Sequence, residues 1–335
     1  TMYSPQSYNN KFGVPLSLIN LNEKDKFGVL EVGMDKKGEI DELTKIINPN
    51  VGVITNISYA HLKNFKNIYQ IALAKAEIIN NIKKDGFLVL NADDKFYALH
   101  KKIAIKKKIN IRNFSFKNKT GDISLSSIKK YGKKFKIFIK VDNTIKYFYF
   151  LSSFENDIKN LLAAITVISI FKDIKKLDRN IFNNYKVPEG RGDIAKIRMF
   201  KKNIFLIDES YNSNPLSLTS AIKNFDKMKI KKGKKHLILG DMLELGKHSK
   251  KLHNSVASTI NSSSLNNINV FGKFIKETYK NIKKDKKGLI LKESSGIFNL
   301  IKNHINNNDY LMIKGSNSTG LYKLTSIIKK NTYAL

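Results

Sequence analysis

The sequence predicts two α/β domains in series: a mostly parallel sheet that ends in an antiparallel meander, then a doubly wound, Rossmann-like sheet. Three observations carry this prediction. Short apolar runs alternate with helical spacing in the first part of the chain; a period-two alternation takes over from 123 to 151; and strand-like runs alternate with helices again after 192.

In the first domain, 27–33, 51–55 and 87–91 are apolar runs with turn residues near their ends, and 69–82 carries the helical repeat. Strands alternating with helices give a sheet covered on both faces. Runs 123–128, 135–141 and 144–151 alternate apolar with polar residues, with Gly132 and Asp142-Asn143 at the turns, as antiparallel hairpins do. The longest apolar run, 161–171, reads as a buried helix, because a membrane span needs about 20 residues. No membrane span is expected.

The second series places strands at 203–208, 236–239, 269–271, 288–291 and 310–313. Helices fall between and after them at 216–228, 249–260, 273–282, 294–305 and 319–330. Pro188-Glu189-Gly190-Arg191-Gly192 reads as the hinge, giving domains 1–192 and 193–335, each of ordinary domain size.

A formal charge of +33 opens a nucleic-acid reading, since clustered cations gain affinity by releasing phosphate counterions. The charge is almost all lysine, however, and is spread along the chain beside abundant Asn and Ile. The basic runs 106–108 and 231–235 lack interleaved aromatics, so a solvated surface accounts for them and no specific nucleic acid is expected. The field would still draw in a polyanionic substrate. With no cysteine there is neither a disulfide nor a thiolate metal site, which fits a reducing, cytoplasmic setting. No signal peptide is visible, and Thr1 is not a natural start, so a targeting segment could lie upstream.

Candidate chemistry gathers at predicted strand ends, the edge where open α/β sheets bind ligands. Glu31 ends the first run just before Gly33, and a carboxylate there suits Mg2+, a hard ion that prefers oxygen. His61, in Asn56-Ile57-Ser58-Tyr59-Ala60-His61, follows the next strand; a lone histidine is more often structural, and its value is its position. Lys75 and Glu77 lie on an otherwise apolar helix, two apart and so not a helix salt bridge. The everyday reading is a snorkelling lysine. The sharper one is a desolvated, partly neutral amine able to take up CO2 as a carbamate.

In the second domain, Asp208-Glu209-Ser210-Tyr211-Asn212-Ser213-Asn214-Pro215 ends the first strand, with Asn214 and Pro215 also suited to starting a helix. The blocks 240–246, with Asp241 and Glu244, and 314–318, with Lys314, Ser316 and Ser318, end two others. The last precedes a helix N-terminus, a place that suits an anionic group.

Taken in order, these blocks resemble the Mur ligase superfamily, and within it the members that add D-alanyl-D-alanine to UDP-N-acetylmuramoyl-tripeptide. Tyr8-Asn9-Asn10, Leu30-Glu31-Val32-Gly33, Asn91-Ala92-Asp93-Asp94 and Gly190-Arg191 belong to the same series, which runs through nearly the whole chain. The resemblance implies a central ATP-binding domain and a C-terminal domain, and an ATP-dependent amide ligase of peptidoglycan precursor synthesis working through an acyl phosphate. It implies Mg2+ held by Glu31 and His61, with Lys75 as the carbamylated lysine. Asn160 would sit on the adenine side, Arg191 would reach the nucleotide phosphates, and Asp208 with Tyr211 would close over the nucleotide. Asn212, Asn214, Asp241, Glu244, Lys314, Ser316 and Ser318 would face the peptide and the incoming dipeptide. A monomer is expected.

Three features depart from the family pattern. No Gly-x-x-x-x-Gly-Lys-Ser/Thr loop is present. The family carries it shortly upstream of the Asn9-Asn10 block, so the chain is expected to begin past it. It would then lack the first βα unit and the uridine-nucleotide domain, and be inactive alone. Phe154-Glu155-Asn156 stands where the family has Gly-x-His-Asn, and Glu209 where many members have Asp. A sibling Mur or folylpolyglutamate-type ligase is the nearest alternative. A non-catalytic basic nucleic-acid-binding protein on a degenerate ligase scaffold is the more distant one.

Overall fold

The computed structural model describes residues 1–5, 7–117, 120–142 and 144–330. Asn143 of the expected hairpin turn and residues 331–335 lie outside the described residues. The chain divides into two units, one of Thr1–Ile57 with Asn64–Tyr185, the other of Ser58–Lys63 with Lys186–Leu335.

The strands of the first unit are β1 (Met2–Tyr3), β2 (Gly28–Val29), β3 (Val51–Ile54), β4 (Phe87–Asn91), β5 (Asn110–Ser115), β6 (Ile123–Tyr131), β7 (Lys134–Val141) and β8 (Thr144–Phe150). Its helices are α1 (Gly13–Ile19), α2 (Glu39–Ile47), α3 (Ile68–Ala76), α4 (Tyr97–Lys106) and α5 (Glu155–Phe171). Among the described residues, β3 to β8 form one sheet in sequence order, parallel from β3 to β6 and antiparallel from β6 to β8.

Sequence explains these faces. In β4, Leu88, Val89 and Leu90 are all buried, the continuous apolar run of a doubly covered strand. In β7 and β8 only alternate residues are: Ile137, Ile139, Phe148 and Phe150 pack with Leu161, Leu162 and Ile165 of α5. The opposite face is aromatic and basic. Lys136 Nζ lies 4.3 Å from the Tyr131 ring centre, 5.1 Å from Tyr147 and 5.7 Å from Tyr149, and the Arg179 guanidinium lies 4.4 Å from Tyr147.

The first unit departs from expectation in three places. The run 27–33 shrinks to β2, because its only ladder partner among the described residues is the two-residue β1. β5 and the helices α1, α2 and α4 are additions. β5 reads Asn-Ile-Arg-Asn-Phe-Ser and buries only its last two residues, too few for an apolar pattern. The single helix expected over 69–82 breaks at Ala76 into a 3-10 turn over Glu77–Asn81. There Glu77 turns to cap α2: its carboxylate accepts the Gly38 N–H at 2.9 and 3.0 Å and the Asp41 N–H at 3.3 Å. Asn81 adds a bond to Thr44 Oγ1 at 2.9 Å.

The second unit carries β9 (Asp193–Met199), β10 (Lys202–Glu209), β11 (Lys235–Gly240), β12 (Ile268–Phe271), β13 (Lys287–Leu291) and β14 (Tyr310–Lys314). The helices are α6 (Pro215–Lys227), α7 (Ser249–Asn261), α8 (Lys276–Asn281), α9 (Ser294–His304) and α10 (Leu321–Lys330). Among the described residues the sheet order is β13-β12-β11-β14-β10-β9, parallel except for β9 against β10. The edge strand β9 is an addition to the expected series. Leu237 and Leu239 face one core with α6 and α7, and Ile238 faces another with α9 and α10, so the sheet is covered on both sides. Asn214 caps α6 through a reciprocal box with Ser217, and Pro215 stands in its first turn. Among the described residues no helix is long and apolar enough to cross a membrane.

Removing the Glu77 carboxylate leaves the first N–H groups of α2 without their acceptor. Glu77→Ala is expected to lower stability by about 1 kcal/mol, as loss of a helix cap does. The check is a lower urea midpoint at unchanged slope.

Candidate functional site

In the first unit Lys75 sits in the last turn of α3, whose Ile71, Ala72, Ala74 and Ala76 are buried. The residue keeps some exposed surface, yet enough protein surrounds its ammonium that burial lowers its pKa, only partly offset by the Glu31 carboxylate nearby. Among the described residues that ammonium has no hydrogen-bond or ion-pair partner. Glu31 is exposed beyond β2; its Oε1 accepts from Asn9 Nδ2 at 2.7 Å and its N–H donates to Ser4 Oγ at 3.0 Å. Asn160 lies exposed on α5.

The remaining expected site residues fall in the second unit. His61 and Glu244 both adopt left-handed backbone conformations, with φ of 58° and 63°. His61 Nδ1 lies 2.9 Å from the Glu244 carboxylate, and the Lys63 N–H reaches the Glu244 carbonyl at 2.7 Å. The hydrogen bond from His61 is the main reason the Glu244 carboxyl is held below its usual range. Glu244, expected to face substrate, is thus a partner of His61.

β11, β14 and β10 are parallel neighbours, so the loops that end them share one sheet edge, and the side chains there stitch those loops together. Buried Lys314 donates to the Asn212 carbonyl at 3.1 Å and to Glu209 Oε2 at 3.2 Å. Ser316 Oγ accepts the Leu243 N–H at 2.9 Å and donates to the Ser213 carbonyl at 3.2 Å. Asp241 accepts the N–H groups of Lys273, Phe274 and Ile275 at 3.0, 2.9 and 2.7 Å. His253 accepts the Met242 N–H at Nε2 (3.0 Å) and lies 2.8 Å from the Ser249 carbonyl at Nδ1, a neutral tautomer in keeping with the burial that lowers its pKa.

Asp208 differs most from expectation. It is fully buried; Oδ1 accepts from the Ser210 N–H and hydroxyl, and Oδ2 lies 2.6 Å from Lys329 Nζ. Lys329 also reaches Asp193 Oδ2 at 2.6 Å, and the Asp193 Oδ1 takes the Gly190 N–H at 2.7 Å. In the structure Asp208, Asn214, Asp241, Lys314 and Ser316 shape loops. Their oxygens and ammonium meet backbone groups that strand and helix ends leave unpaired. Asn212 and Ser318 remain exposed. Arg191 and Tyr211 do meet: the guanidinium stands 4.4 Å from the ring centre, and Tyr322 packs edge-on to Tyr211 at 5.6 Å.

Asn9 and Lys329 are contributors to which sequence reasoning gave no role, and Glu209 was noted there only as a departure from the family's Asp. Asn9 was within a recognised block; Lys329 sits among many surface lysines and carried no signal of its own.

Among the described residues, no group of three or more His, Cys, Asp or Glu side chains is placed to hold a metal ion. Glu31 and Lys75 supply one carboxylate and one desolvated amine, and a carbamate on that amine would add the oxygen donors that Mg2+ prefers.

Residues 1–168 match the Mur ligase middle domain and residues 196–317 the Mur ligase, glutamate ligase domain. The UDP-N-acetylmuramoyl-tripeptide--D-alanyl-D-alanine ligase of Buchnera aphidicola subsp. Baizongia pistaciae is 34% identical over 281 residues, covering 83% of this chain and 58% of that relative. Its counterpart from Buchnera aphidicola subsp. Acyrthosiphon pisum is 32% identical over 343 residues, covering 99% of this chain and 71% of its own length. The chain thus spans less than two thirds of the first of these curated relatives. The crystal structure of MurF ligase from Thermotoga maritima in complex with ADP superposes with a TM-score of 0.80 at 22% identity, over 98% of this chain and 73% of that one, a likeness of fold.

Two outcomes test the electrostatics. Lys329→Met leaves fully buried Asp208 beside Asp193 without a cation, and is expected to cost about 3 to 5 kcal/mol in denaturant unfolding. Lys75→Met is expected to stabilise. The lysine's folded pKa lies below the ordinary 10.5, so the unfolded chain binds its proton more tightly and stability rises with pH through that interval. The gain from Lys75→Met should be largest at low pH and shrink as pH climbs towards 10.5; a melting series across pH reads it.

Proposed function

The chain belongs to the Mur ligase family, and from that membership we propose that it carries the nucleotide-side and acceptor-side machinery of an ATP-dependent ligase. That ligase would join D-alanyl-D-alanine to UDP-N-acetylmuramoyl-tripeptide for peptidoglycan precursor synthesis. The observation that carries the proposal is Lys75, a desolvated lysine with no partner among the described residues, beside the Glu31 carboxylate. A structural lysine would be expected to find an ion pair or a solvent-exposed resting place. A lysine that must become a carbamate needs a neutral amine and an open approach.

In this reading Lys75, as the carbamate, and Glu31 would hold Mg2+ in the first unit, and the family resemblance implies His61 of the second unit as a further ligand. Nδ1 of His61 lies 2.9 Å from the Glu244 carboxylate, so Nε2 would be the nitrogen left to bind the metal. Bound Mg2+ supplies charge neutralisation to the phosphoryl oxygens. Asn160 serves the adenine side and Arg191 the phosphates, with Tyr211 fixing the guanidinium plane. Asn212 and Ser318, exposed at the stitched edge, face the peptide substrates. Asp208, Asn214, Asp241, Lys314 and Ser316 hold that edge in shape.

The substrate carboxylate attacks the γ-phosphorus of ATP, ADP leaves and an acyl phosphate forms. The dipeptide amine then attacks the activated carbonyl, loses a proton and expels phosphate, leaving the amide. Positioning and electrostatics supply most of the rate. We further propose a cytoplasmic monomer with no nucleic-acid partner.

Supplied with the phosphate-loop segment that the family carries upstream, the chain should release phosphate from ATP only when both UDP-N-acetylmuramoyl-tripeptide and D-alanyl-D-alanine are present, and other amino acids should not replace the dipeptide. Lys75→Ala should reduce turnover at least about 100-fold, and added bicarbonate should raise activity only where Lys75 is retained. Turnover that needs neither peptide substrate, or a Lys75→Ala enzyme with full activity, would sink the proposal.

A further inference from the structure

The Tyr8-Asn9-Asn10 block has no role in the chemistry above, yet its two asparagines are placed differently. Asn10 serves the chain locally: its Oδ1 accepts the N–H groups of Phe12 and Gly13 at 3.0 and 2.9 Å, folding the turn into α1. Asn9 reaches across the unit. Its Nδ2 donates to Glu31 Oε1 at 2.7 Å, and its carbonyl accepts the Gly33 N–H at 2.7 Å. A Cβ on Gly33 would fall 2.9 Å from Asn9 Cγ and 3.0 and 3.1 Å from its Oδ1 and Nδ2, so glycine is what lets the amide lie against this backbone.

We propose that Asn9 is a positioning residue for Glu31. Its amide fixes the carboxylate through Oε1, so that Oε2 is the oxygen presented to a divalent cation, and Gly33 keeps the amide's place open. The inference rests on the proposed reading of Glu31 as a metal ligand. The chemistry favours an amide here. A neutral donor holds the carboxylate's orientation without cancelling its charge, as lysine or arginine would, and an aspartate would repel it. Glu31 is otherwise an exposed side chain with several rotamers to lose, and one short hydrogen bond removes most of that freedom before the cation arrives.

A merely structural Asn9 would tie the segment around residue 9 to β2, and its loss would then show in stability alone. Mn2+ binding to the purified chain, followed by electron paramagnetic resonance beside thermal unfolding, separates the two. The parent and Glu31→Gln define the Glu31-dependent Mn2+ site. Asn9→Leu is expected to weaken that site about 10-fold or more with little change in melting. Gly33→Ala, which leaves Asn9 in the sequence but displaces its amide, should weaken it likewise and stands in if Asn9→Leu does not fold. Should both variants bind Mn2+ as the parent does while Glu31→Gln loses the site, the positioning role is overturned and the metal reading stands. If the parent and Glu31→Gln bind Mn2+ equally, the metal reading of Glu31 fails and the inference falls with it.

Discussion

Parallel strands that stop side by side leave a row of backbone groups with no ladder partner, and the second unit is organised around satisfying them. The ends of β10, β14 and β11 are held by side chains that would ordinarily be read as functional: Lys314, Ser316, Asp241 and Asp208. Each meets a donor or acceptor that burial would otherwise leave unpaired, at a cost of about 1–3 kcal/mol apiece. Once these loops are stitched, Asn212 and Ser318 are among the polar residues that stay exposed at that edge. The order of causes runs from sheet topology to loop satisfaction to the surface that remains.

The first unit shows the reverse allocation two residues apart. Glu77 is fully occupied in starting α2, whereas the loss of water around the Lys75 ammonium is only partly offset, by the Glu31 carboxylate. A lysine whose burial is only partly compensated lowers the stability of the fold, which is why Lys75 is the residue on which the proposed chemistry rests. Glu77 does the opposite work on the next turn of the same segment, and the break into a 3-10 turn at Ala76 separates the two tasks.

Much of this was legible before the structure. The switch from helical spacing to period two located the meander, and the strand series after residue 192 located the second sheet. β5 and β9 escaped because strands at partly covered or edge positions carry too few buried residues for a pattern, and β2 shrank because a strand is defined by its partner as well as its composition. At the site, sequence located the blocks but could not say which side chain of a block faces inward. Asp208 and Asn212 are four residues apart in one motif, one fully buried and the other exposed, and only the packing of α10 with Lys329 decides between them. Asn9 and Asn10 are adjacent and chemically identical, yet one folds its own turn and the other reaches Glu31.

The outer face of the meander bears on how a chain of net charge +33 stays folded at all. With 61 basic and 28 acidic residues, the carboxylates run out long before the cations do. Lys136 and Arg179 instead lie over tyrosine rings, whose electron-rich faces are a partner that carries no charge and, unlike an ion pair, gives up little to added salt. A surface this rich in lysine therefore settles some of its cations on aromatic faces, and loss of Tyr147 would strip both Lys136 and Arg179 of such a face.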